Sequence, residues 1–347
     1  GNSPLSLTVN GTNIVISLAT ANNGTITTTN QQLIDLLEGS SAVNSLVTIA
    51  VNGTAKLTSN ATAQNGNNPM NLANGGTSTL DTNSNDVTLS ALLTGLGGLT
   101  KTGNGNLTLT GANTFSGITV VTGGTLVLGN SLALQNSTLQ TNNGDGNVSF
   151  LTATDATLGG LTGNKDLDLS NALNNALNLT VGQNNANTIY TGNLTDNNGV
   201  DGNFIKVGTG ILTLAGINTY NGSTQINGGA INFNSNAAFG ATPNVTISNA
   251  GLVWAAGTNT DVSSVLNGTI GIQAGNVSLD TNSNDVTLSA QALAGSGAVI
   301  VYGENGSLTF AKAETYTGGT NIGSGTLFLG NVTNAGTVIG NILNNAD

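Results

Sequence analysis

"KTGNGNLTLTGANTFSGITVVTGGTLVLGN", residues 101–130, carries the reading on which the fold rests. Apolar residues alternate with Thr and Asn, the run breaks at Gly and Asn, and the alternation resumes. Such period-two runs of about four to six residues mark strands with one buried face. Gly and Asn between the runs supply the positive φ angles of tight turns. Apart from Lys101 the stretch holds no charged residue, and it has no His or Cys. Its most regular feature therefore carries no reactive chemistry.

The same unit recurs. "KVGTGILTLAGINTYNGSTQINGGAINFNS" begins at Lys206, and "YGENGSLTFAKAETYTGGTNIGSGTLFLGN" begins at Tyr302, with one residue shifted before Leu308. Each unit keeps an apolar pair (Leu107 and Leu109, Leu212 and Leu214, Leu308 and Phe310) and one aromatic (Phe115, Tyr220, Tyr316). Each then keeps a Gly before a second apolar pair: Leu126 and Leu128, Ile231 and Phe233, Leu327 and Leu329. "LDTNSNDVTLSA" occurs at Leu80 and again, letter for letter, at Leu279. Short strands, short turns and internal repeats fit a β-solenoid better than a sandwich, which needs long Greek-key connections. The expected architecture is all-β, a parallel β-helix with apolar pairs inside the coil. At roughly 20 to 25 residues per rung it would hold about a dozen rungs, a rod of about 60 Å at ~4.8 Å each.

The beginning differs. "LSLTVNGTNIVISLA", residues 5–19, reads as two strands around Asn10-Gly11, and "TTNQQLIDLLEG", residues 28–39, as a helix capped by Thr29 or Asn30 and ended by Gly39. Residues 1–57 are expected to form a small α+β module that caps or docks, and residues 58–347 the solenoid, with repeat units near 101–130, 206–235 and 302–330.

Composition limits what the chain can do. Gly is 50 of 347 residues, about twice the usual ~7%. Charged residues are 6%, with five Lys, no Arg and a net charge of -11, so no cationic face for nucleic acid or an anionic membrane is expected. Absent Cys and His remove disulfides, the usual zinc and haem ligands and the commonest acid–base group. No apolar run is long enough for a membrane span, and no leader opens the chain; Gly1 in place of Met points to a trimmed start.

The repeats resemble the autotransporter-associated β-strand repeat, also called the passenger-associated transport repeat. The residues carrying the resemblance are Gly103 to Gly129, Gly208 to Phe233 and Leu308 to Gly330; "LDTNSNDVTLS" and "ATLGGLTG" are also typical of such passengers. The resemblance implies a right-handed parallel β-helix, secreted or on the bacterial surface, whose repeats aid export and folding without catalytic duty. Complete members end in a β-barrel translocator, whereas this sequence ends "GNILNNAD". That departure implies either a barrel cut away or another export route.

Each candidate site has a plain structural alternative. Asp166 and Asp168 share a strand face, and paired carboxylates serve glycan-cleaving β-helices. Without Arg or His, they read as outward residues beside Lys165. Asp81-Thr-Asn-Ser-Asn-Asp86 has a calcium-loop flavour, but Asp86 stands where that loop needs Gly and Leu92 where it needs Glu, so a turn is expected. Residues 142–150 and 197–204 also read as turns. Phe115, Tyr220 and Tyr316 are expected to pack within their own rungs, and Trp254 to be buried. Sequons such as Asn60, Asn136 and Asn178 arise by chance in a chain this rich in Asn and Thr. No catalytic, metal or cofactor residue is assigned. The leading expectation is an extracellular structural protein assembling head to tail with itself into a filament or layer. The alternatives are a trimmed adhesin stalk touching a cell-surface glycan or host surface, and, last, a glycan-active enzyme.

Overall fold

A computed structural model describes residues 69–72, 76–196, 199–241, 244–264, 275–330 and 336–346, with the short strands at 6–10, 13–17, 54–56, 62–63 and 270–272. The expected helix over 28–39 lies outside the described residues. Ser6–Asn10 and Asn13–Ser17 form an antiparallel pair in which Asn10 lies opposite Asn13.

All other strand pairs among the described residues are parallel, and each joins segments one coil apart. Leu126 lies opposite Leu107, 19 residues back, and Tyr190 opposite Gly163, 27 residues back, which brackets the rung length. About 11 turns stack in this way, close to the dozen expected from the sequence. The two short helices among the described residues, Asn236–Phe239 and Val262–Ser264, are 3-10 turns.

The alternation of the sequence becomes the wall of the coil. In Asn106–Leu109 and Ile211–Leu214, the Leu residues point inward and Thr108 and Thr213 outward. Stacking puts like on like: Leu107 over Val87 and under Leu126, Leu212 under Ile231, Ile231 under Leu252. One continuous hydrophobic core runs from Leu72 to Tyr316. Burying a Leu or Val side chain contributes about 1.5–3 kcal/mol, and every rung adds several such residues.

One apolar pair departs from expectation. Leu327 is half-buried and Leu329 is 42% exposed, beside Phe328 at 52%. Thr326–Leu329 is the last strand of its three-stranded sheet, so its upper side meets no further strand among the described residues.

The three units are also not all in rotational register. Followed residue by residue, the first strand of unit one, Gly98–Thr102, leads through Thr119–Val121, the later halves of Leu134–Thr141 and Asp155–Gly163, and Thr188–Tyr190 to Ile211–Leu214, the second strand of unit two. The same column continues through Ala230–Phe233, Ala250–Trp254 and Asn276–Asp280 to Ala298–Tyr302, the first strand of unit three. The first strand of unit two, Asn203–Lys206, stacks instead on Asn178–Val181 and residues 155–158, so unit two is displaced by one strand position around the coil from units one and three.

Candidate functional site

Of the paired carboxylates, Asp168 keeps one oxygen, Oδ1, buried without a partner among the described residues. Leu167 and Leu169 face the core while Asp166 and Asp168 take the outward positions, as the alternation predicts. Asp166 Oδ1 accepts the Asn193 N–H at 2.8 Å, and Lys165 donates to the carbonyls of Asp145 and Gly146 at 2.7 and 2.8 Å. The two copies of LDTNSND make matching turns. Asp81 Oδ1 accepts Asn83 N–H at 2.7 Å, Asp280 Oδ1 accepts Asn282 N–H at 2.9 Å, and Asn83 and Asn282 adopt φ of 54° and 50°. Asp145 likewise closes on Asn142 N–H at 2.9 Å. No group of three or more potential metal ligands occurs among the described residues. Phe115, Tyr220, Tyr316 and Trp254 are all buried. The Trp254 indole donates to the Thr260 carbonyl at 2.9 Å, and the Tyr220 and Tyr316 hydroxyls each meet a Thr hydroxyl at 2.5 Å. Burial pushes the Tyr316 phenol up to about 12.

What sequence reasoning missed is a set of buried polar residues that join one rung to the next. Lys101 and Lys206 are fully buried. Lys101 Nζ donates to Thr82 Oγ1 and to the carbonyls of Thr102, Gly103 and Gly123, at 2.8–3.0 Å. Lys206 Nζ donates to the carbonyls of Val207, Gly208 and Gly228 at 2.6, 3.3 and 3.2 Å. Each ammonium thus ties the G-x-G turn of its own rung to the Gly-Gly turn of the next. Burial lowers both pKa values to about 8, with Asp81 acting in the opposite sense on Lys101. The signal was present in the sequence: each Lys sits two residues after an inward residue, Leu99 or Phe204, and so on the buried parity.

The second device is an amide bridge. Asn113 Oδ1 accepts the Leu93 N–H of the rung below at 2.9 Å, and its Nδ2 donates to the Ala133 carbonyl of the rung above at 3.0 Å. Asn218 does the same between Leu194 and Ala238, at 2.8 and 2.6 Å.

Unit three replaces both devices. Val301 pairs with Ile322 as Lys101 pairs with Val121 and Lys206 with Ile226, so Val301 occupies the lysine position. The hydroxyl of Thr281, the counterpart of Thr82, then finds no partner among the described residues. Glu314 takes the place of Asn113 and Asn218: its Oε2 accepts Leu293 N–H, while its buried Oε1 has no partner among the described residues. Burial raises the carboxyl pKa to about 7, against the bond from Leu293.

The passenger-associated-transport-repeat family matches at residues 99–128, 204–232 and 304–329, the three places where these turns and bridges are built. The chain carries three passenger-associated-transport repeats. Within each repeat the match spans the first apolar strand or its turn, the bridging Asn or Glu, the buried aromatic and the second strand. A relative, described as "Adhesin BmaC autotransporter" of Brucella suis biovar 1 (strain 1330), is 32% identical over 237 residues, covering 66% of this chain. The chain spans 6% of that relative's length. No solved structure matches the chain significantly. The passenger-associated-transport repeats are thus built into the rungs of a solenoid, and in the first two of them buried polar side chains join neighbouring coils.

Proposed function

We propose that this chain is a rod-like, non-enzymatic segment of a bacterial surface adhesin of the autotransporter type, which holds a binding region away from the cell. The observation that carries this reading is the inter-rung stapling by Lys101, Lys206, Asn113 and Asn218 within repeats of the passenger family. These side chains stiffen the axis, and the polar, weakly charged outer wall carries no assembled site among the described residues. The similarity to an autotransporter adhesin supports the cell surface as the location. The test offers the purified chain to host-cell monolayers and glycan arrays, and in parallel compares attachment of cells displaying the parent passenger with and without residues 99–329. A stalk predicts no saturable binding by the purified chain and weakened attachment on deletion. Saturable binding by the chain itself would make it the recognition part instead. Release of sugars from any glycan on the array would overturn the non-enzymatic reading.

A second reading, end-to-end association of copies, is supported by the exposed apolar side chains Phe328, Leu329, Ile339, Ile342 and Leu343 on the last rungs. Light scattering over a concentration series tests it: mass should rise with concentration and fall back to monomer in Leu343→Asp.

A further inference from the structure

We propose that closure of the last rung, residues 336–344, depends on a proton carried by Glu314. Its place in the coil is that of the bridging amides. Asn218 N–H donates to the Ala237 carbonyl at 2.9 Å, and its side-chain Nδ2 donates to the next carbonyl, that of Ala238. Glu314 N–H donates to the Thr337 carbonyl at 2.8 Å, so the next carbonyl in its upper rung is that of half-buried Val338. An Asn there presents one acceptor downward and one donor upward. A carboxylate presents two acceptors, and its upward oxygen then confronts a carbonyl. A carboxylic acid restores the pattern: Oε2 accepts from Leu293 and the Oε1 hydroxyl donates upward. A buried Oε1 with no partner among the described residues marks the place where that proton belongs.

Few other charges reach this corner. Lys312 is exposed to solvent on the same rung, and Tyr316, two residues on, has its hydroxyl held by Thr320. The rung below, residues 289–297, has no ionisable side chain, nor does the chain from 331 to 346. Asp261, one coil further down, has its carboxylate taken up by Ser263 and Ser289. Desolvation therefore dominates, and it holds the carboxyl near 7 in place of 4.5. For a carboxyl whose folded pKa is raised, the open rung releases its proton first. The closed state is then favoured below the ordinary value and loses ground as pH rises from about 4.5 to about 7. With those two values, the closing equilibrium weakens roughly 30-fold between about pH 5.5 and about pH 8.5.

Hydrogen exchange of the whole chain at those two pH values, corrected for intrinsic rates, reads this directly. Peptides covering residues 336–344 should lose protection by about that factor at the higher pH, and Glu314→Gln, which carries the donor permanently, should keep the low-pH protection throughout. Equal protection in the wild type at both pH values, or pH dependence that survives in Glu314→Gln, overturns the proposal. Should that variant fail to fold, the carboxyl-carbon NMR titration of wild-type Glu314 decides: a midpoint near 7 supports it and a midpoint near 4.5 sinks it.

Discussion

Lys206 occupies a place where the alternation asks for an aliphatic side chain, and it is tolerated because three carbonyls await its ammonium. Replacing it with Met keeps the bulk and strands those carbonyls. Leaving buried acceptors unsatisfied costs about 1–3 kcal/mol each, so Lys206→Met should lower stability by about 3 kcal/mol or more, seen as a reduced urea midpoint. Its pH dependence has a definite sign. With a folded pKa of about 8 against the usual 10.5, the unfolded chain binds more protons across that interval. The contribution of Lys206 to stability therefore grows as pH rises through it, and the gap between wild type and Lys206→Met should widen from pH 8 toward 10.5. The reciprocal substitution tests the site rather than the residue. Val301→Lys places an ammonium beside the unpartnered Thr281 hydroxyl and should cost less than about 1 kcal/mol. Val299→Lys, two positions earlier on the same buried face and away from the turn, should cost several times that in the same urea assay.

Between strands, the turns set the limits, and they do so through the neighbouring rung. Gly103 has φ of 78°, and a Cβ there would drive into the Asn83 N–H and the Asp81 carboxylate of the coil below. Gly144 has a similar φ of 89° but open space within 4 Å. The pair separates backbone strain from crowding. Gly144→Ala should lose only the left-handed penalty of about 1–2 kcal/mol, and Gly103→Ala should lose more, both measured by thermal unfolding. Most of this level was legible in the sequence. Alternation located Asn106–Leu109, Ile211–Leu214 and Ser307–Phe310, and Gly and Asn located the breaks. The buried Lys and Asn bridges were not read, because a polar residue on an inward position has meaning only once its acceptors on other rungs are known.

Over the whole molecule, the repeating unit is the coil, and the chain should tolerate changes made in whole coils. Lys101 pairs with Val121, 20 residues on, so deleting residues 102–121 reconnects the chain at the same place on the wall. That variant should stay folded with strand-type circular dichroism and a rod shorter by about 4.8 Å in small-angle scattering. Deleting residues 102–111 swings every later strand half a coil out of place and should abolish cooperative unfolding. In a solenoid, stability is close to a sum over rungs and their interfaces. The weak coupling at unit three, where Val301 and Glu314 replace the lysine and the amide, therefore acts locally and leaves the remaining stack intact.

The sequence by itself determined the all-β class, the inward and outward faces, the approximate rung length and the passenger-type repeats, because each is written in local periodicity and in turn residues whose φ preferences are intrinsic. Only the tertiary structure decided that unit two is shifted by one strand position from units one and three, which carbonyls receive the ammonium groups of Lys101 and Lys206, and that Glu314 stands where an amide is needed. Those facts depend on which residues lie 19 to 27 positions apart across a coil. Loop lengths fix that offset, and no local pattern encodes it.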